Sequence, residues 1–157
     1  SHLFNYAGAP WLTQKWVRKV KAAYSDVTPY GGYRDDEDQG QMGALGVLMA
    51  IGLFEVDGGC AEKPFYEITS PLFDKVTIHL DNRYYPGKTF QIITVGNSAD
   101  NMYIQRASFN GKKWNKCWFY HEDFIKGGTL ELQLGTTPNK KWGIEEFPPS
   151  SVSSDKD

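Results

Sequence analysis

The chain has 157 residues, of which 17 are basic and 19 acidic, and its formal net charge is −2. This length suffices for one domain with a sizeable core, and the near-neutral charge excludes a general attraction to nucleic acid or anionic membranes. No apolar run approaches the roughly 20 residues of a transmembrane helix, and no signal-peptide pattern opens the sequence. Cys60 and Cys117 match neither a disulfide framework nor a zinc motif, so they are either two free thiols or one bridge.

The first half of the sequence predicts two helices, because apolar residues recur at helical spacing between Pro10 and Phe54. Pro10 suits the first turn of a helix. We expect the buried stripe of this first helix to consist of Leu12, Trp16, Val17, Val20, Ala23 and Tyr24. The basic residues beside that stripe favour a solvated face over a binding patch. His2, at the start of the sequence, is assigned no role.

The second helix, within residues 42–54, is apolar on every side. Such a helix must be covered all round, and two helices with a small sheet are too few elements to cover it. We therefore expect its natural neighbours to lie outside these 157 residues. The isolated chain is expected to self-associate through this helix.

The second half, from about Phe65 to Trp142, alternates apolar and polar residues and predicts β-strands. Asn110-Gly111 is a strong type I′ hairpin signal, because both central residues of that turn need a positive φ. We expect a small antiparallel, jelly-roll-like β-sandwich followed by a disordered tail from Pro148. The strands should include 76–80 and 130–134, with their alternate apolar residues inward, and Thr89 to Val95.

Aromatic residues crowd one predicted hairpin, and they permit two interpretations. Trp114, Trp118, Phe119 and Tyr120 suit either a sandwich core or a platform on which sugars stack. The platform would make the chain a non-catalytic carbohydrate-binding module. His79 is expected to point outward from its strand, and the segment 121–123 is expected to form a turn.

An acidic run, Arg34-Asp35-Asp36-Glu37-Asp38-Gln39-Gly40, precedes the second helix. It begins like a calcium-binding EF-hand loop but lacks the later ligand positions of that motif. Asp38 as N-cap and Gln41 three residues later would form a capping box. Capping leaves the other acids unexplained. A carboxylate at a helix N-terminus stays ionised and suits the general base of an inverting glycosidase.

Several motifs in series resemble the C-terminal end of glycoside hydrolase family 92, the calcium-dependent exo-α-mannosidases. They are LFNYAGAPWLTQK, DEDQGQMGALGVLMAIGLFEV, SPLFDKVTIHL, YIQRASFNGKKWNKCWF, HEDFIKGGTLELQLG and PNKKWG, and they run in matching order from Leu3 to Gly143. The family usually reads Ser-Ala-Trp-Tyr where this chain has Gly43 to Gly46.

The resemblance implies an α+β chain with three parts. Residues 3–57 would be the last helices of an (α/α)6 barrel, 62–143 an antiparallel β-region and 148–157 a disordered tail. It implies removal of terminal α-linked mannose from a glycan, with calcium as cofactor, in a secreted or periplasmic parent enzyme. Asp38 is the first candidate for the general base and Asp36 the second, while the general acid would lie upstream of Leu3.

Overall fold

The computed structural model describes residues 1–24, 32 and 40–150, and it shows an α+β fold. A short 3-10 helix, His2–Phe4, precedes α1, Pro10–Ala22, and α2, Gln41–Ile51; α3, His121–Phe124, is a single turn. The strands are β1 Leu53–Phe54, β2 Phe65–Ile68, β3 Lys75–His79, β4 Thr89–Val95, β5 Tyr103–Phe109, β6 Lys112–Lys113, β7 Trp118–Tyr120 and β8 Gly128–Gly135. The predicted class, helices first and strands after them, is confirmed.

The larger sheet has five strands in the order β3-β4-β8-β5-β6. Leu130, Leu132 and Leu134 of β8 are buried while Glu131 is exposed, as the alternation predicts. The expectation of a purely antiparallel arrangement is wrong at one place, because β4 and β8 run parallel. Between these two strands the chain passes through β5, β6, β7 and α3, so β8 enters beside β4 in the same direction.

The smaller sheet, in the order β1-β2-β7, packs on the larger one around a shared core. Phe90 of β4 stacks on Phe119 of β7 with ring centroids 5.6 Å apart. Phe119 also contacts Phe109 of β5, 5.3 Å away. Both sheets therefore bury aromatic rings against each other, which is the sandwich that the sequence predicts.

The hairpin predicted at Asn110-Gly111 is present. Asn110 and Gly111 have φ of 51° and 75°, and they connect β5 to β6. The Asn110 side-chain oxygen accepts the backbone N–H of Thr129 at 2.8 Å, which ties the turn to the start of β8. His79 is exposed at the end of β3, as predicted.

The first helix begins at Pro10 as predicted, and Val17 of the predicted stripe is buried, but most of the buried face is different. Thr13 and Gln14 are also buried, whereas Trp16, placed in the buried stripe by prediction, is 41% exposed. The Gln14 side-chain oxygen accepts the backbone N–H of Ile104 on β5 at 2.9 Å. Contact with β5 thus places polar side chains of α1 inside the fold. The spacing of apolar residues in the sequence does not predict such contacts.

The second helix ends at Ile51, three residues before the predicted limit at Phe54. Gly52 terminates it with φ of 81°, and a Cβ added there would lie 2.5 Å from the ring of Pro71. The chain then enters β1 directly. Met49 is buried and Val47 is 62% exposed, so the apolar surface of this helix is covered on one side only within the described structure.

Of the predicted disordered tail, 148–157, the structure describes the first three residues. Pro148 is buried against the rest of the chain, and residues 151–157 lie outside the described part. Segment 121–123, expected to be a turn, belongs to the one-turn helix α3. Cys60 and Cys117 are free thiols. Among the residues described, no helix has the length and apolarity needed to span a membrane.

Candidate functional site

The acidic run, which holds the predicted catalytic residues Asp36 and Asp38, lies outside the described residues. The structure does describe Gly40, the last residue of this run, and Gly40 is the N-cap of α2. The helix begins at Gln41 and has no side-chain cap hydrogen bond. The predicted capping box between Asp38 and Gln41 is therefore wrong. Asp38 precedes the observed cap by two residues, so its proposed role as base rests on the family resemblance and not on capping.

Arg18 of α1 fixes the helical part of the chain to the β-region. Its Nε donates to the backbone oxygen and the hydroxyl of Ser70, at 3.1 and 3.0 Å. Its Nη2 donates to Asn97 at 2.6 Å and to the carbonyl of Pro71. No described carboxylate forms a salt bridge with it, and burial lowers the pKa of Arg18.

The loop after β2, residues 69–72, contacts Arg18 and also holds the C-terminal end of α2. The N–H of Thr69 donates to the carbonyl of Gly52 at 2.8 Å, and the N–H of Leu72 donates to the carbonyl of Ala50 at 2.9 Å. The helix that follows the acidic run is thus anchored at its far end to the sheet. Its start therefore has a defined place relative to α1 and the β-region.

A buried polar cluster connects the N-terminal segment to β2. Glu67 is fully buried, and its carboxyl accepts hydrogen bonds from the Asn5 amide and the Tyr6 hydroxyl. Burial raises the pKa of Glu67 to about 7, against the lowering effect of those two hydrogen bonds. Burial also raises the pKa of the neighbouring Cys117 thiol to about 12. Because solvent does not reach the Glu67 carboxyl or the Asn5 amide, these two groups support the fold.

His2, to which the sequence assigned no role, belongs to the core. Its ring stacks on Phe54 at a centroid distance of 3.8 Å, with 11° between the planes. Burial lowers the pKa of His2 to about 4, so this imidazole is neutral at physiological pH. The lack of any helical or strand periodicity at the chain start hid this contact from sequence reasoning.

Two of the four rings in the crowded aromatic hairpin belong to the core, while Trp114 and Tyr120 are partly buried and pack against it. Trp118 and Phe119 are 2% and 1% exposed. The indole N–H of Trp114 donates to the carbonyl of Trp118 at 3.1 Å, and that of Trp142 donates to the carbonyl of Trp114 at 3.0 Å. His121 is engaged with the Tyr66 hydroxyl at 2.9 Å, and no catalytic arrangement forms around it in the described structure.

One cavity of about 460 Å³ opens beside the smaller sheet, which the sequence did not predict. Tyr6, Trp118 and Tyr120 form one side of it, and Glu146 with the segment 147–150 forms the other. Its residues come from three distant parts of the chain, so no local motif marks it. By size it falls in the range of small-molecule sites.

No group of three or more His, Cys, Asp or Glu side chains suited to a metal occurs among the described residues. The sequence pattern of the glycosyl hydrolase family 92 catalytic domain matches residues 1–136. A fungal protein, "Uncharacterized secreted glycosidase" of Arthroderma benhamiae, is 36% identical over 153 residues, which are 94% of this chain and 19% of that protein.

Solved structures give the same likeness. A family GH92 α-mannosidase of Bacteroides thetaiotaomicron superposes with a TM-score of 0.84 at 30% identity, over 96% of this chain and 19% of its own. A family GH92 inverting mannosidase of Bacteroides thetaiotaomicron VPI-5482 gives a TM-score of 0.79 at 36% identity, over 95% of this chain and 19% of its own.

The fold, with helices leading into a two-sheet β-region, matches one part of the family GH92 mannosidase structures. The chain belongs to glycosyl hydrolase family 92. It spans about a fifth of the length of the relatives it matches.

Proposed function

We propose that this chain forms part of an exo-α-mannosidase that removes terminal α-linked mannose from glycans with inversion of configuration. The observation that carries the proposal is its likeness to the inverting mannosidase, at 36% identity across 95% of the chain. Asp38 would act as general base and Asp36 would position the attacking water or replace Asp38 as base. The general acid would come from a part of the enzyme outside these 157 residues.

The proposed chemistry needs two carboxyl groups on opposite sides of the scissile bond. In inverting glycosidases they stand about 6.5 to 9.5 Å apart, with the water between the base and the sugar. Asp35, Asp36, Glu37 and Asp38 belong to one short run, so no pair of them suits both faces of the bond. The anchored end of α2 supports the proposal, because it fixes the helix that follows this run.

The test of the base is a matched pair of variants, Asp38→Asn and Asp36→Asn, in the complete enzyme. If Asp38 is the base, its variant loses about 10² to 10⁴ in kcat on an aryl α-mannoside, while the Asp36 variant loses less. Both proteins should unfold at wild-type denaturant concentrations. Near-normal turnover by a folded Asp38→Asn enzyme would reject the assignment, and a larger loss in Asp36→Asn would transfer the role to Asp36.

The 157-residue chain alone is proposed to lack mannosidase activity, because it would hold the base without the acid. The assay is the same aryl α-mannoside with and without added calcium. Turnover that Asp38→Asn abolishes would show that the acid also lies within these residues.

We further propose that the complete enzyme binds calcium and is secreted or periplasmic. The calcium proposal follows from the family resemblance, and the described residues add no metal-ligand cluster to it. Loss of activity on chelation and its recovery with Ca²⁺ would test it. The secreted character of the fungal relative supports the second proposal. Export of the complete protein from its own host cells is the measurement.

Self-association of the isolated chain through α2 is proposed for a physical reason. This helix carries no charged side chain between Gln41 and Ile51, and Val47 on it is exposed. Apolar surface of this kind normally finds cover in another chain or another domain.

A further inference from the structure

We propose that Asn110 is a site of spontaneous deamidation and that the pairing of β8 controls how fast it reacts. Asn110 and Gly111 form the turn between β5 and β6, and both are exposed to solvent. Deamidation needs the asparagine side chain to meet the backbone nitrogen of the next residue. Glycine has no Cβ to obstruct that approach. The turn therefore supplies both reacting groups, in reach of water.

The reaction needs only these two residues and water. The backbone nitrogen of Gly111 attacks Cγ of Asn110 and forms a cyclic succinimide. The side-chain amino group leaves as ammonia, with the proton of the Gly111 N–H. Water then opens the ring at either carbonyl, one of its protons returns to the Gly111 nitrogen, and the product is aspartate or isoaspartate. No oxidant or reductant is consumed.

In the folded chain the Asn110 side chain is held by β8. Its Oδ1 accepts the backbone N–H of Thr129 at 2.8 Å, and its own backbone N–H donates to the carbonyl of Thr129 at 2.8 Å. A Cβ added at Gly128 would lie 2.1 Å from Oδ1 and 2.8 Å from Cγ, so the amide packs closely against the β8 backbone. Ring closure moves Cγ to bonding distance of the Gly111 nitrogen, and this takes Oδ1 off the Thr129 N–H.

The protection comes from a strand 19 positions later in the chain and not from the hairpin itself. The hairpin has only two cross-strand pairs, Ser108 with Lys113 and Phe109 with Lys112. A two-stranded hairpin is marginally stable by itself in water. When β8 is not paired, the turn is therefore free to open, and Asn110 reacts at the rate of an unfolded chain.

The two products affect the fold differently. Aspartate keeps an oxygen that accepts the Thr129 N–H, and its charge is followed by the exposed Lys112 and Lys113. Isoaspartate adds a carbon to the main chain inside a two-residue turn, whose length sets the register of β5 with β6. Conversion at Asn110 thus records a loss of β8 pairing, and the isoaspartate fraction hinders its return.

The first experiment follows Asn110 by peptide mass spectrometry in the folded chain and in concentrated guanidinium chloride, at one mildly alkaline pH. We expect the folded chain to react roughly ten- to a hundredfold more slowly, since both Thr129 bonds must open. At intermediate denaturant, conversion should accelerate together with hydrogen exchange of the Thr129 amide. Equal rates in the folded and unfolded chain would overturn the proposal, as would conversion that does not follow this exchange.

A matched pair of glycine variants separates the Thr129 contact from a general loss of stability. Gly127→Ala and Gly128→Ala both place a Cβ at positive φ, 76° and 130°. The new Cβ lies 2.6 Å from the Thr89 carbonyl oxygen in the first variant and against the Asn110 amide in the second. After correction for the unfolded fraction of each protein, Gly128→Ala should convert faster than wild type and Gly127→Ala should not.

Equal corrected rates in the two variants would show that β8 protects Asn110 through overall stability alone, and the proposal would fall. If a variant does not fold, the comparison of conversion with Thr129 exchange in the wild-type chain decides the question.

Discussion

Asn5, in the segment before α1, donates a hydrogen bond to the buried carboxyl of Glu67, 62 positions later in the chain. This contact joins the start of the chain to the middle strand of the smaller sheet. The groups around Glu67 that affect its titration are Asn5, Tyr6, Asp57, Cys117 and the amino group of Ser1. Burial favours the neutral form of Glu67, and the two hydrogen bonds and the single cation oppose that effect.

The first prediction concerns the pH dependence of stability. Burial raises the pKa of Glu67 from 4.5 to about 7, so the folded chain holds this proton more tightly than the unfolded chain. The stability that Glu67 contributes is therefore complete below pH 4.5 and is lost as the pH rises through 7. At 1.36 kcal/mol per pKa unit, the loss is about 3 kcal/mol at most.

The comparison of wild type with Glu67→Gln isolates this effect. His2 acts in the opposite direction, because burial lowers the pKa of His2 to about 4 and its contribution grows between pH 4 and 6.5. That contribution is common to both proteins and cancels in the difference. In urea unfolding at several pH values, the free energy of unfolding of Glu67→Gln should rise relative to that of wild type between pH 5 and 8. A constant difference across this range would contradict the prediction.

The second prediction concerns Arg18, which bonds to Ser70, Pro71 and Asn97. Arg18→Ala leaves several acceptors without their donor, and we expect it to lower the free energy of unfolding by about 2 to 3 kcal/mol. Arg83→Ala is the control, because Arg83 is exposed and contacts only its chain neighbours in the described structure, Asp81 through an ion pair and Tyr84 through its ring. Its unfolding midpoint should match wild type. Equal midpoints for Arg18→Ala and Arg83→Ala would show that the Arg18 bonds contribute nothing.

The third prediction concerns self-association. Val47→Lys places a charge on the exposed apolar side of α2, and it should reduce the average mass measured by light scattering at high concentration. Val56→Lys is the control, since Val56 is also exposed but lies after β1. A wild-type chain that stays monomeric at the highest concentration would refute the proposal.

The fourth prediction concerns Gly128, at the start of β8. Its φ is 130°, and a Cβ there would lie 2.1 Å from the side-chain oxygen of Asn110. Gly128→Ala should therefore displace Asn110 from Thr129 and destabilise the chain by more than about 2 kcal/mol. Gly58→Ala has a positive φ of 59° but open space around it, so its loss should stay near 1 kcal/mol. Equal losses in thermal or urea unfolding would show that backbone strain alone matters.

Local signals in the sequence predicted the features that depend on neighbouring residues. Asn110-Gly111 marked its hairpin, and the alternation in Leu130, Leu132 and Leu134 marked the inward face of β8. Period-two alternation does not encode strand direction, so the parallel pairing of β4 with β8 stayed hidden. Nor does it show which sheet a strand joins, and the departure of β7 to the smaller sheet was not predicted.

The candidate sites also divide into those that a local stretch of sequence marks and those that distant contacts create. Asp36 and Asp38 were found from a dense local run and a family resemblance, and their assignment stays a prediction. The Glu67 cluster and the cavity at Tyr6, Tyr120 and Glu146 depend on contacts between segments far apart in the chain. Such contacts follow from the packing of the two sheets, and no single stretch of sequence indicates them.

The place of β8 has a consequence for biosynthesis. This strand is made after every other strand that the structure describes, yet it lies between β4 and β5 and pairs with both. Until Gly128–Gly135 leaves the ribosome, β4 and β5 each present an unpaired edge, and such edges invite pairing with other chains. A stop codon ahead of Gly128 would thus leave two unjoined strand pairs, and we expect that product to aggregate or be degraded.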